Sequence, residues 1–173
     1  DLLHKNISSV TMDDYNGGQR AAEMLLSKGH TKIGGIYKCD DNQGVYRYSG
    51  FFNYLLANCP NFNDANMIWY TTETKYGFIK NNSVLERILT SCTALVCYND
   101  EIAAQLAPVI LSDPNVTVTS LISFDNAIPL FVNHDFDFYS IPHPKELLGE
   151  KAIRMLIDMI DGKPVSPCIM SWL

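Results

Sequence analysis

Arg47, Asn99, Asp125 and His143 are the side chains of this sequence best suited to grip a small polar molecule. Each belongs to a short polar cluster that directly follows an apolar, β-prone run. The first cluster is Lys38-Cys39-Asp40-Asp41-Asn42-Gln43, with Arg47 close behind. The others are Tyr98-Asn99-Asp100-Glu101, Asp125-Asn126, and His143 between Pro142 and Pro144. In an alternating α/β domain such places fall at the carboxyl ends of parallel strands, where ligands bind. Carboxylates, amides, a guanidinium and an imidazole together suit a polyhydroxylated small molecule. They do not make a reaction centre.

Each residue has a functional and a structural reading. The planar fork of Arg47 can donate two hydrogen bonds to vicinal hydroxyls, which lysine cannot match. Its position predicts the first turn of a helix, where a cation opposes the helix dipole. It reads either as a ligand contact or as a structural salt bridge to Asp40 or Asp41. Asn99 offers a donor and an acceptor, whereas Asp100 offers acceptors only. One of the two caps the helix that follows, and Asp100 is the expected cap, leaving Asn99 to face the crevice. Asp125 reads as a hydroxyl acceptor or as part of an Asx turn with Asn126. His143, fixed by its prolines, reads as a ligand contact or as a solvated imidazole. Trp69 and Tyr70 end a predicted strand; one could stack on the apolar face of a sugar, or both could be core.

Catalytic and metal chemistry find little support. The sequence has no G-x-S-x-G elbow, P-loop or G-x-G-x-x-G. His4, His30, His134 and His143 lack metal-site spacing. Asp13-Asp14 resembles the acidic pair of a phospho-accepting receiver domain, but Tyr70-Thr71-Thr72 stands where that domain needs an aspartate. No catalytic residue, metal or cofactor is therefore expected.

The elements that must position these residues are legible from periodicity. Strands are predicted over 7–12, 33–37, 67–71, 93–97, 116–124 and 137–141, with a last one over 168–173. Helices are predicted from about 16 to Gly29, over 45–58, 75–89 and 101–111, and over 145–161. Pro108 should kink or end the fourth of these. The order is βα repeated about five times, which implies an α/β fold with a parallel sheet flanked by helices.

The 173 residues suit a single domain, with 47% hydrophobic and 18% charged residues. A net charge of −6 and the lack of a Lys/Arg cluster argue that this chain does not itself grip DNA. Five cysteines, odd in number and without a C-x-x-C pair, read as reduced thiols of a cytoplasmic protein. No apolar run approaches the roughly 20 residues that span a bilayer.

Five segments carry a family resemblance. They are Asp13-Asp14-Tyr15-Asn16-Gly17-Gly18-Gln19-Arg20, Lys28-Gly29-His30-Thr31-Lys32-Ile33, Arg47-Tyr48-Ser49-Gly50-Phe51, Tyr98-Asn99-Asp100-Glu101-Ile102-Ala103 and Leu148-Gly149-Glu150-Lys151-Ala152. In order and spacing they resemble the effector-binding module of the lactose/galactose repressor (LacI/GalR) family over nearly the whole chain. Lys38 to Gly44, Cys97 to Glu101 and His143-Pro144-Lys145-Glu146 resemble its arabinose-responsive (AraR) branch.

The resemblance implies a periplasmic-binding-protein-like (type I) fold that binds a sugar in the cleft between two subdomains. It implies sugar contacts from Arg47, Asn99 and Asp125, and, as branch-specific carry-overs, from Lys38, Asp41, Gln43 and His143. It implies a bacterial transcriptional repressor, dimeric and released from its operator by a pentose such as L-arabinose. It further implies that residues 1–173 are the C-terminal part of the effector module. The DNA-binding head and the first half of that module would then be absent. Ser123 stands where the family has glycine. A sugar-binding protein of a transport system shares the fold and is the alternative reading.

Overall fold

A computed structural model describes residues 8–80, 82–126 and 136–172. His4, His134, and the ends of the first and last predicted strands at residues 7 and 173 lie outside the described residues. Five parallel strands form the main sheet: β2 (Ile33–Lys38), β3 (Met67–Tyr70), β4 (Ala94–Cys97), β5 (Ser120–Phe124) and β6 (Asp137–Ile141). Their order is β3-β2-β4-β5-β6. A separate parallel pair joins β1 (Val10–Met12) to β7 (Cys168–Met170).

The helices are α1 (Asp14–Ser27), α2 (Asn42–Asn58), α3 (Ser83–Ser91), α4 (Asp100–Ser112) and α5 (Lys145–Ile160). They cover both faces of the sheet, so strand residues of both parities are buried. Along β4, Ala94 and Val96 join the core under α1 and α2, while Leu95 and Cys97 join the core under α3 and α4. This accounts for the unbroken apolar run of β4. Within the described residues no helix is long and apolar enough to cross a membrane.

Because β2 lies between β3 and β4, the chain leaves β2 in one direction and resumes on its other side. That reversal opens a crevice at the carboxyl ends of β2 and β4, where Lys38 and Tyr98 emerge.

Glycines set the approach of α1 to α2. A Cβ on Gly18 would lie 1.9 Å from the Arg47 carbonyl oxygen, and one on Gly50 would lie 1.8 Å from that of Tyr15. Backbone meets backbone here, and Arg47 of α2 is thereby brought onto the first turn of α1.

Several boundaries differ from the sequence reading. The segment predicted as helix from residue 75 is a run of turns to residue 80, and α3 starts at Ser83 behind its cap Asn82. The Asn82 side chain accepts from the N–H groups of Val84 and Leu85, which fixes the start there. Helix α2 begins at Asn42 rather than 45 because Asp41 caps it, accepting from Gly44 N–H at 2.7 Å. Arg47 therefore sits in the second turn, not the first. Pro108 does not end α4, which continues to Ser112. Strand β5 begins only at Ser120.

Candidate functional site at the carboxyl edge of the sheet

Arg47 is 2% exposed and lies at the centre of this edge. Its Nε donates to Asp14 Oδ1 at 2.9 Å, and its Nη1 donates to the carbonyl oxygen of Tyr98 at 2.6 Å. The guanidinium carbon lies 4.5 Å from the ring centre of Phe124, 4.7 Å from that of Trp172 and 5.0 Å from that of Tyr98. Three aromatic faces thus replace the water that a cation would otherwise hold. The charge partner is Asp14, not Asp40 or Asp41. Among the described residues Nη2 has no hydrogen-bond partner. Burial pushes the Asp14 carboxyl above its ordinary value, and the Arg47 charge opposes that rise.

Asp125 directly follows β5 with φ 96°, and Asn126 follows it with φ 43°. Two consecutive residues in the left-handed region carry a strain of about 1–3 kcal/mol each, a cost typical of functional loops. Asp125 N–H donates to Ile141 O at 3.0 Å, and Asn126 N–H donates to Ser140 Oγ at 2.8 Å, which hold the turn. The half-buried Asp125 carboxylate accepts no hydrogen bond from any described residue. Burial raises its pKa, and the nearby Arg47 charge opposes this.

His143 packs edge-on against Trp172 with ring centres 5.2 Å apart. Its Nδ1 is buried and has no hydrogen-bond partner among the described residues. Burial lowers its pKa, while the Asp125 charge works the other way.

Asn99, not Asp100, is the N-cap of α4. Its Oδ1 accepts from Ile102 N–H at 3.1 Å, which leaves only its amide N–H groups for a ligand. Asp100 turns inward instead, 1% exposed, and accepts from the hydroxyls of Ser123 and Ser140. The two serines come from β5 and β6, and no local pattern reveals that they meet this carboxylate.

Lys38, Asp41 and Gln43 form one network at the start of α2. Lys38 Nζ lies 2.9 Å from Asp41 Oδ2 and 3.3 Å from Asp40 Oδ1. The Tyr98 hydroxyl donates to Asp41 Oδ2 at 2.8 Å, and it lies 3.4 Å from Gln43 Oε1. Burial raises the Asp41 pKa, but the bonds from Gly44 N–H, Lys38 and Tyr98 outweigh it and leave the carboxyl below its ordinary value. A backbone N–H from Thr72 holds the Asp40 carboxyl at about 2. Tyr70 is buried, stacks on Phe78 and meets Tyr98 edge-on. Trp69 is half-exposed and packs against Tyr48 on the α2 side, away from Tyr98.

Two hollows open here. One, of about 420 Å³, is lined by Asp13, Asp14, Gln43, Tyr46, His143 and residues of the β1–β7 pair. The other, of about 230 Å³, is lined by Lys38, Tyr70, Tyr98, Asn99 and Glu101 with Thr72 and Lys75. Arg47 joins them, since it bonds Asp14 of the first and Tyr98 of the second. The sequence-predicted residues therefore gather on one edge. Asp14 and Trp172 complete the setting of Arg47, and the sequence reading assigns neither of them a contact there. Asp13 is the cap of α1, accepting from Asn16 N–H at 3.0 Å.

No group of three or more His, Cys, Asp or Glu able to hold a metal occurs among the described residues. The five cysteines are free thiols. The arrangement offers donors, acceptors and aromatic walls.

Residues 22–169 match the family model of a periplasmic binding protein-like domain. An arabinose metabolism transcriptional repressor from Halalkalibacterium halodurans is 35% identical over 156 residues, covering 87% of this chain and 41% of that protein. The protein of the same description from Geobacillus stearothermophilus is 34% identical over 172 residues, covering 94% of this chain and 46% of that protein. The crystal structure of a LacI-family sugar-binding transcriptional regulator from Escherichia coli, complexed with phosphate, superimposes with a TM-score of 0.79 at 26% identity. That match covers 99% of this chain and 63% of the other. The chain spans about half the length of the curated relatives it matches. On this fold, edge geometry and likeness, the chain belongs to the periplasmic binding protein-like domain family, in the form carried by LacI/GalR-type transcriptional regulators.

Proposed function

We propose that this domain is the effector-binding module of a bacterial transcriptional repressor, that its effector is L-arabinose, and that the sugar controls operator binding allosterically. One observation supports the sugar site above all. The Asp125 carboxylate, His143 Nδ1 and Arg47 Nη2 all lack a hydrogen-bond partner among the described residues, and all lie at the same edge. Of the three, His143 Nδ1 is buried, and a buried polar atom left unpaired costs roughly 1–3 kcal/mol. A polyol pairs them: Asp125 accepts from two hydroxyls, while Arg47 and the amide of Asn99 donate to hydroxyl oxygens. The rings of Tyr70 and Tyr98 wall the smaller hollow. Lys38 lines it too, and the network of Lys38, Asp41 and Gln43 around the Tyr98 hydroxyl is preformed beside it.

The choice of arabinose rests on the two arabinose-named relatives and on the Lys38 to Gly44 and His143 segments. In the complete protein the sugar sits between this module and a second subdomain. A DNA-binding head is attached, and the working unit is a cytoplasmic homodimer. Sugar shifts the operator equilibrium only if it favours the DNA-incompetent arrangement. A coupling of about 1–3 kcal/mol, or roughly 5–150-fold in operator affinity, is typical of such a switch. No catalysis is part of this reading, and the repressor descriptions of the relatives favour it over a transport role.

A thermal-shift screen of pentoses and hexoses on the complete effector region tests the proposal. L-Arabinose is expected to raise the melting temperature most. A response to no sugar would overturn the reading, and a larger response to another sugar would reassign the effector.

A further inference from the structure

Asp125 owes its place to a turn with positive φ at two consecutive non-glycine residues. The two are Asp125 and Asn126, at 96° and 43°. What holds them is a buried relay contributed by three elements. Asp100, at the start of α4, takes the hydroxyl hydrogens of Ser123 from β5 and of Ser140 from β6, the latter at 2.6 Å. All three residues are buried, at 1%, 0% and 9% exposure. Ser140 Oγ in turn accepts from Asn126 N–H at 2.8 Å.

The direction of this relay is forced. A backbone N–H only donates, so the Ser140 oxygen accepts from Asn126, and the serine's one hydroxyl hydrogen goes to Asp100. With that hydrogen committed to Asp100, the Ser140 oxygen presents lone pairs to Asn126 N–H. Asp100 thereby sets the orientation of the hydroxyl that pins the strained turn.

We propose that Asp100 and Ser140 are positioning residues for Asp125, holding its carboxylate toward Arg47 and His143. The proposal rests on the reading of Asp125 as a sugar contact. It goes beyond that reading by naming the residues, remote from the ligand, on which affinity depends.

The test uses the complete effector region, with two readouts: L-arabinose affinity by titration calorimetry and hydrogen exchange at the Asn126 amide by NMR. Ser140→Ala is expected to weaken sugar binding about five- to tenfold, the size of one lost hydrogen bond, and to speed exchange at Asn126. Adding Asn126→Gly is expected to restore most of the affinity, because glycine adopts positive φ without cost. Asp100→Asn, whose amide can donate to Ser140 and so remove the compulsion on its hydroxyl, is expected to speed exchange at Asn126 as well. Unchanged exchange in both Ser140→Ala and Asp100→Asn would overturn the proposal. A loss of affinity in Ser140→Ala that Asn126→Gly does not restore would also overturn it. If the unaltered region binds no L-arabinose, the sugar reading fails on its own, and the exchange readout still decides the positioning role.

Discussion

Arg47 Nε lies 2.9 Å from Asp14 Oδ1, with the two side chains 2% and 6% exposed. Thirty-three positions of sequence separate them. A buried pair of this kind is weak evidence of net stability, because desolvation offsets the attraction. Removing one partner is another matter, since it strands a charge in the interior.

Asp14→Asn is therefore expected to destabilise the domain by about 3–5 kcal/mol. The double variant Asp14→Asn with Arg47→Met removes both charges, keeps much of the volume and should regain most of that stability. It should bind no sugar, because the guanidinium is gone. Urea unfolding followed by titration calorimetry separates the two effects. A double variant as unstable as the single one would contradict the account.

The glycines between α1 and α2 make a second prediction. Alanine in a helix interior is ordinarily about 1 kcal/mol better than glycine. A methyl group on Gly149 of α5 would meet nothing within 4 Å, so Gly149→Ala should stabilise the domain by up to about that amount. At Gly18 the new carbon would lie 1.9 Å from the Arg47 carbonyl oxygen, and the helices must separate. Gly18→Ala should then lose at least about 1–3 kcal/mol and loosen Arg47 as well. Equal responses at the two sites, measured by denaturant titration, would disprove the close approach.

His143 gives a pH prediction. Burial holds its pKa below the ordinary value of 6.5, and Asp125 opposes this, as Asp14 does more weakly, while Lys145 and Arg47 add to the lowering. The folded state then binds the proton less readily than the unfolded state does. The stability this group contributes is present at higher pH and is lost as pH falls below 6.5 and through the folded value. Asp125→Asn removes the largest opposing influence, so the His143 titration should move lower still. NMR of the ring protons reads this directly. A titration unmoved by Asp125→Asn would show the two groups to be apart.

The succession of strands is legible because β2, β4 and β5 are short apolar runs, each running into a polar cluster. Boundaries set by side-chain caps are less so. Asp41 draws α2 back to Asn42, and Asn82 delays α3 to Ser83. The sequence reading places the cap of α4 one residue late, because Ser123 and Ser140 capture Asp100 and leave the cap to Asn99. For the site, the sequence names the residues at the strand ends but not the partners that set them. Asp14 and Trp172 reach Arg47 only through the packing of α1 and the course of the chain after β7. Long-range pairs of that kind leave no periodicity to read.

The central claim is that Arg47, Asn99 and Asp125 grip one sugar from one edge of the sheet. Titration calorimetry of L-arabinose into the complete effector region, unaltered and as Asp125→Asn, tests it most directly. The exchange keeps the shape and removes the charge, so affinity should fall roughly 10–100-fold, the loss of one or two charge-assisted hydrogen bonds of about 1.5–3 kcal/mol. Equal affinity in the two proteins would contradict the claim.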